Sequence, residues 1–181
     1  FRSMIATIFD TETSGLIPCG LVDDKIKPQV IEFAAIKTNL DTKEEITRYD
    51  FLVKPTISIS KEITNITGID DEKVKDAKSF AAHINEIRDA LENCDAVIAH
   101  NASFDKEMID IEAARCGIKI KWPDRIICTV EQTTCLKGYR LTLSDLHQTL
   151  FGFTFEGAHR AMHDVEALAK CVDNLNTQGY F

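Results

Sequence analysis

Apolar positions along the chain fall into two periods. From Met4 to Phe9 they are nearly continuous, the pattern of a central strand covered on both faces. Val30 to Ile36 and Ile46 to Val53 are rich in β-formers and are separated by the turn-like cluster Asn39-Leu40-Asp41-Thr42. Together these segments predict a three-strand meander. Pro55 stops the third strand, and a polar stretch runs on through Gly68. Phe80, Ile84, Ile87 and Leu91 then recur four, three and four positions apart, which is one face of a helix.

Beyond that point strands and helices alternate. Ala96 to Ala99 reads as a short buried strand, followed by a helix from about Ser103 that Gly117 would close. Ile126 to Val130 reads as a fifth strand. Thr142 and Asp145 form a helix start signal ahead of Leu143, Leu146 and Leu150, with Gly152 as the stop. A last helix carries Ala161, Val165, Leu168, Val172 and Leu175. Strands first, then alternation, predicts an α/β domain with a mixed central sheet flanked by helices. No internal repeat, low-complexity tract or linker interrupts the pattern.

Composition narrows the class. A chain of 181 residues with 44% hydrophobic and 28% charged residues suits one compact domain. No apolar run reaches the roughly 18 residues that span a bilayer, and no charged segment precedes an apolar one at the N-terminus. The expectation is a soluble, intracellular, cytoplasmic protein with no membrane partner. Met4 is read as the native start and Phe1-Arg2-Ser3 as a cloning remnant. The six cysteines have neither C-x-x-C nor zinc-site spacing and are expected to be reduced and mostly buried. A net charge of −8 argues against a broad basic track for long nucleic acid, but not against a site that holds a few phosphates through metal ions.

The chemistry begins in Ile8 to Leu16, IFDTETSGL, where a buried strand ends in Asp10 and Glu12. Two residues apart on extended backbone, their side chains project to the same side. A lone Asp at a strand end usually serves a turn, but two like charges held together need protonation, water or a bridging cation. Asp105 lies in the first turn of a helix, with Met108 and Ile109 at i+3 and i+4, so it is expected to face inward. Asp164 lies three residues after Ala161 and four before Leu168, on the apolar side of the last helix. An inward carboxylate there requires a partner.

Two histidines compete for a role beside these acids. His163 is well off the Ala161/Leu168 face, whereas His159 follows Gly157-Ala158 on the loop entering the helix and is free to lean over the site. His83 and His147 fall within amphipathic helices and are expected to be solvated. His100 ends a strand beside Asn101 and is a candidate for reaching substrate. Oxygen ligands alone suit Mg²⁺ or Mn²⁺ rather than zinc. Carboxylate clusters that hold two such ions serve phosphodiester hydrolysis, with a histidine of near-neutral pKa as base.

FDTETSGL, HNASFD and HRAMHD, in that order, resemble the three motifs of the DEDDh 3′ to 5′ exonucleases, the DnaQ-like group that includes the proofreading subunit of bacterial DNA polymerase III. The resemblance runs from Ile5 to about Leu175, with ITNITGIDDEKVKDAKSF as a further similar segment, and is complete at five positions. It implies a ribonuclease H-like fold with a five-stranded mixed sheet, in a single exonuclease domain over residues 4–178. It also implies two Mg²⁺ or Mn²⁺ ions held by Asp10, Glu12 and Asp164, with Asp105 around the second ion or acting through water. His159 would deprotonate the attacking water, and nucleoside 5′-monophosphates would leave from a 3′ end. Thr13, Ser14, Gly15 and Leu16 would line the terminal nucleotide, with His100, Asn101 and Phe104 bordering the same pocket. Arg160, Lys137 and Arg140 are candidate phosphate contacts.

The expected partner is therefore a single-stranded DNA 3′ end or RNA, with DNA preferred. A DNA polymerase or replication complex is a further candidate partner, although a free-standing trimming enzyme is preferred because no tethering extension is evident. The competing readings are an exoribonuclease that trims RNA and a nonenzymatic nucleic-acid-binding or polymerase-associated module. The module should have lost an acid or the histidine, and all five are present.

Overall fold

The computed structural model describes residues 2–181. Five strands form one mixed sheet: β1 (Ile5–Thr13), β2 (Val30–Asn39), β3 (Glu45–Leu52), β4 (Ala96–Ala99) and β5 (Arg125–Cys128), ordered β3-β2-β1-β4-β5. The first three make the expected antiparallel meander, turned at Asn39, whose side chain accepts from the backbone of Asp41 and Thr42. β4 and β5 then add in parallel beside β1.

Alternation along β1 assigns its two faces. Ala6 and Ile8 pack beneath α6 (Leu143–Phe151) and α7 (Ala161–Thr177) with Leu146, Val165 and Leu168. Phe9 faces the other way, toward Met108 and Ile109 of α4 (Ala102–Arg115) and Ile87 and Leu91 of α3 (Ile84–Glu92). Thr142 caps α6 by accepting from Asp145 N, and Gly152 ends it at φ +83°, as its start and stop residues predict.

The boundaries differ from expectation in instructive places. β1 runs past its apolar residues and pairs with β2 as far as Thr13, whereas β4 accompanies it only from Ala6 to Ile8. The last residues of β1 therefore run beyond the parallel pairing, near the carboxyl ends of the parallel strands, where ligands of open α/β sheets bind. The fifth strand stops at Cys128 rather than Val130, and α5 (Thr129–Lys137) follows at once. Its sequence, TVEQTTCLK, has no helical apolar period, but Thr133 and Thr134 donate their hydroxyls to the carbonyls four residues back and so satisfy them inside the helix. The polar stretch after Pro55 contains two further short helices, α1 (Lys61–Thr67) and α2 (Asp71–Val74), capped by Ser60 and Asp70.

Two histidines expected in solvent are buried instead. His83 stacks on Phe51 with ring centroids 3.8 Å apart, and His147 sits among Phe151, Phe153 and Phe155 while bonding Phe153 O at 2.7 Å. His83 is covered by Phe51 of β3, and His147 by Phe153 and Phe155 beyond the end of α6 as well as by Phe151 within it. The cysteines are free, but only Cys171 is buried, while Cys19 and Cys135 are exposed. No helix among the described residues is long and apolar enough to cross a membrane.

Candidate active site

The two-residue period of β1 puts Asp10 and Glu12 on the same face as Ile8, the face covered by α7. Asp164, in the first turn of α7, completes a trio whose ligand oxygens all lie within 4.8 Å of one another. Thr11 points to the opposite face, where its backbone N and hydroxyl both donate to Asp105 Oδ1, at 3.1 and 2.7 Å. Asp105 is 3% exposed and stands just outside the trio, tethered to the residue between the two strand acids. The sequence brings all four carboxylates together, in the arrangement of three plus one.

The cluster is electrostatically unfavourable by itself. Burial, reinforced by Asp105 and Glu12, holds the Asp10 carboxyl well above the usual range. Burial and the neighbouring Asp164 push Glu12 up to about 9. Burial raises Asp105 to about 7 against the pull of its Thr11 hydrogen bonds, and raises Asp164 to about 6 against the pull of His159. Asp10 Oδ2 is buried with no hydrogen-bond partner among the described residues. An orphaned carboxylate oxygen on a member of a three-carboxylate set of hard oxygen ligands fits a divalent cation of the Mg²⁺ or Mn²⁺ kind.

His159 is exposed on the loop before α7, and its backbone N donates to both oxygens of Asp164, at 3.3 and 3.1 Å. Its φ of +69° is in the left-handed region, as is Asn101 at +72°; two of the three non-glycine residues of this kind among those described flank the acids. Such strain persists where surrounding structure over-determines it, and it concentrates at working sites. His163 lies off the cluster, with Nδ1 3.2 Å from Gly157 O.

The remaining candidates divide. Leu16 is 85% exposed and shares a cleft of about 460 Å³ with Ile17, Pro18, Ser103 and Phe104, while one side of Phe104 packs on the core. Thr13 and Ser14 order the turn itself: the Thr13 hydroxyl donates to Gly15 O, and Ser14 exchanges bonds with Gln29. Both ring nitrogens of His100 are engaged, one with Thr129 Oγ1 and one with Leu141 O, so it fastens the end of β4 to the start of α5 and the loop before α6 and presents no free nitrogen. Asn101 accepts from Arg140. Arg160, expected to be a phosphate contact, is bound to Glu32. Glu32 and Thr11 escaped the sequence reading, although a lone acid inside the apolar run VIEFAAI was a visible signal.

A model of the exonuclease family, RNase_T, matches residues 7–172. The chain belongs to that family. This exonuclease domain is 30% identical over 167 residues to a PolC-type DNA polymerase III of Caldanaerobacter subterraneus subsp. tengcongensis, and 34% identical over 172 residues to that of Mycoplasma genitalium. In both cases 90% of the chain aligns with 11% of the relative, so the chain spans about a tenth of the length of these curated relatives. Among solved structures, Exonuclease X in complex with 5′ overhanging duplex DNA is 25% identical with a TM-score of 0.69, covering 96% of this chain and 93% of that one. The nuclease domain of 3′hExo, a DEDDh family member bound to rAMP, is 17% identical with a TM-score of 0.79, covering 98% and 94%. The ribonuclease H-like sheet and the DnaQ-like, DEDDh assignment of the exonuclease domain follow from these matches and the motifs.

Proposed function

We propose that the domain removes nucleoside 5′-monophosphates one at a time from single-stranded 3′ ends, with DNA as the preferred substrate. The observation that carries this reading is the trio of Asp10, Glu12 and Asp164 around the orphaned Asp10 oxygen, with His159 tied to Asp164 at its edge. Asp10, Glu12 and Asp164, with Asp105 beside them, would hold two Mg²⁺ or Mn²⁺ ions. When bound, these ions would supply Lewis acidity and charge neutralisation for phosphodiester cleavage.

The chain's own groups do the rest. His159 takes the proton of the attacking water, because its imidazole is exposed on a loop that its own backbone N ties to Asp164. Leu16 and Phe104 line one cleft, where an apolar wall would support the terminal base by stacking worth roughly 1–3 kcal/mol without reading its identity. Thr13 to Gly15 hold the backbone turn against the terminal sugar. Preference for DNA is supported by the PolC-type relatives and by Exonuclease X with its DNA, and the same relatives support a DNA polymerase as a working partner.

A 5′-labelled oligonucleotide should shorten in single-nucleotide steps with Mg²⁺ or Mn²⁺ and stay intact in EDTA. Absence of a ladder, or a ladder that survives EDTA, would overturn the reading. Paired DNA and RNA of one sequence decide the substrate: faster loss of RNA would make the domain an exoribonuclease.

A further inference from the structure

Glu32 lies on β2 directly opposite Glu12 and on the same face of the sheet. It is 2% exposed, which for a carboxylate demands partners, and it has a full set. Oε1 accepts from Ala161 N at 2.6 Å, while Oε2 accepts from Arg160 Nη2 at 2.8 Å and Nε at 3.1 Å. With both oxygens taken by N–H donors, Glu32 is not available as a metal ligand.

The bonds fall on a segment where both site groups are attached. Arg160 is the N-cap residue of α7 and makes no capping bond of its own, so the orphan N–H of Ala161 is satisfied from the sheet by Glu32. A carboxylate at that end also suits the helix dipole. Asp164, three residues after Ala161, enters the acid trio, and His159, one residue before Arg160, holds its left-handed φ. We propose that Glu32 is a positioning residue: its clasp on Arg160 and Ala161 sets the loop that presents His159 and the helix start that presents Asp164, locking base and ligand to the strand that lies beside Glu12. The proposal builds on the function given above for its kinetic consequence, and on the fold alone for the rest.

The two halves of the clasp separate by mutation. Glu32→Gln retains an acceptor for Ala161 but turns an N–H toward Arg160, and Arg160→Lys keeps the charge while losing the fork. Each should lower kcat roughly 10- to 100-fold with KM changed less than about threefold, the size and split expected of a group that orients catalytic machinery without binding substrate. Glu32→Ala frees both halves. It should also weaken Mn²⁺ binding about tenfold, measured by electron paramagnetic resonance on the metal-free protein, and speed hydrogen exchange at the Ala161 amide. Glu45→Gln, on the surface beside Arg48, is the control and should leave all readouts unchanged. Wild-type kcat in both Glu32→Gln and Arg160→Lys would overturn the proposal, as would unchanged Mn²⁺ affinity and exchange in Glu32→Ala. Should Glu32→Ala fail to fold, the two conservative variants decide. If the wild type releases no nucleotide, the proposed function fails, while the Mn²⁺ and exchange measurements still test the clasp.

Discussion

Replacing Asp10 with asparagine should stabilise the metal-free protein while abolishing cleavage. Asp10 is the most deeply set member of the trio, and one of its oxygens has no partner among the described residues. At separations of up to 4.8 Å, two unit charges repel by about 3 kcal/mol at an effective dielectric near 20. Protonation of neighbours relieves part of this, since Glu12 holds its proton up to about 9. A net gain of roughly 2 kcal/mol on neutralising Asp10 is the resulting scale, and for a chain of this size it corresponds to about 4–8 °C in Tm.

The sign of the pH dependence follows from the direction of the shifts. Asp10, Glu12, Asp105 and Asp164 all have folded pKa values above their ordinary ones. Below about pH 2 both the folded and the unfolded chain hold these protons, and the difference opens as the unfolded acids ionise around their ordinary values of 3.8 and 4.5. As pH rises toward 9 the unfolded chain releases them first, so the folded state is progressively destabilised. Melting in EDTA should therefore give matching curves for wild type and Asp10→Asn at low pH and a gap that widens to about pH 9. Mn²⁺ should raise the wild-type Tm and close most of that gap. An Asp10→Asn variant no more stable than wild type at pH 8, or a gap independent of pH, would refute the view of this cluster as a cradle held for cations.

His159→Ala should lower kcat by about 10²- to 10⁴-fold, the range for a general base, whereas His163→Ala should stay near wild type; steady-state kinetics in the reverse order would assign the base to His163. A Cβ on Gly157 would lie 1.9 Å from His163 Nδ1, at a backbone φ of +77°. Gly157→Ala should therefore displace the His159 loop, costing activity in nucleotide-release assays well beyond its loss of about 1 kcal/mol in chemical denaturation. Adding His163→Ala should relieve the clash and restore part of the rate, which a purely conformational effect of the alanine would not allow.

The strand meander and the helices with periodic faces were legible because their burial follows the apolar pattern of their own residues. Elements held by other means were not. α5 has no apolar stripe and rests on threonine hydroxyls bonded back to its own carbonyls. β1 outruns its apolar residues because β2 pairs with it as far as Thr13, a decision made by the partner strand. His83 and His147 read as solvent-facing by helical phase, yet the aromatic surfaces that cover them come from Phe51 on β3 and from Phe153 and Phe155 beyond the end of α6.

By itself the sequence determined the chemistry of the site. Asp10 and Glu12 share a face through the two-residue period of a strand, Asp164 and Asp105 are placed inward by helical phase, and the three motifs name the family. Only the tertiary structure decided how those acids group. Asp10, Glu12 and Asp164 close into a trio because β1 and α7 meet on one face, whereas Asp105 comes from the opposite face and is held through Thr11. It also paired Arg160, by sequence a candidate phosphate contact, with Glu32. The reason is physical: periodicity records which way a side chain points, but a buried carboxylate such as Glu32 takes its role from donors that the fold brings to it from 128 residues away.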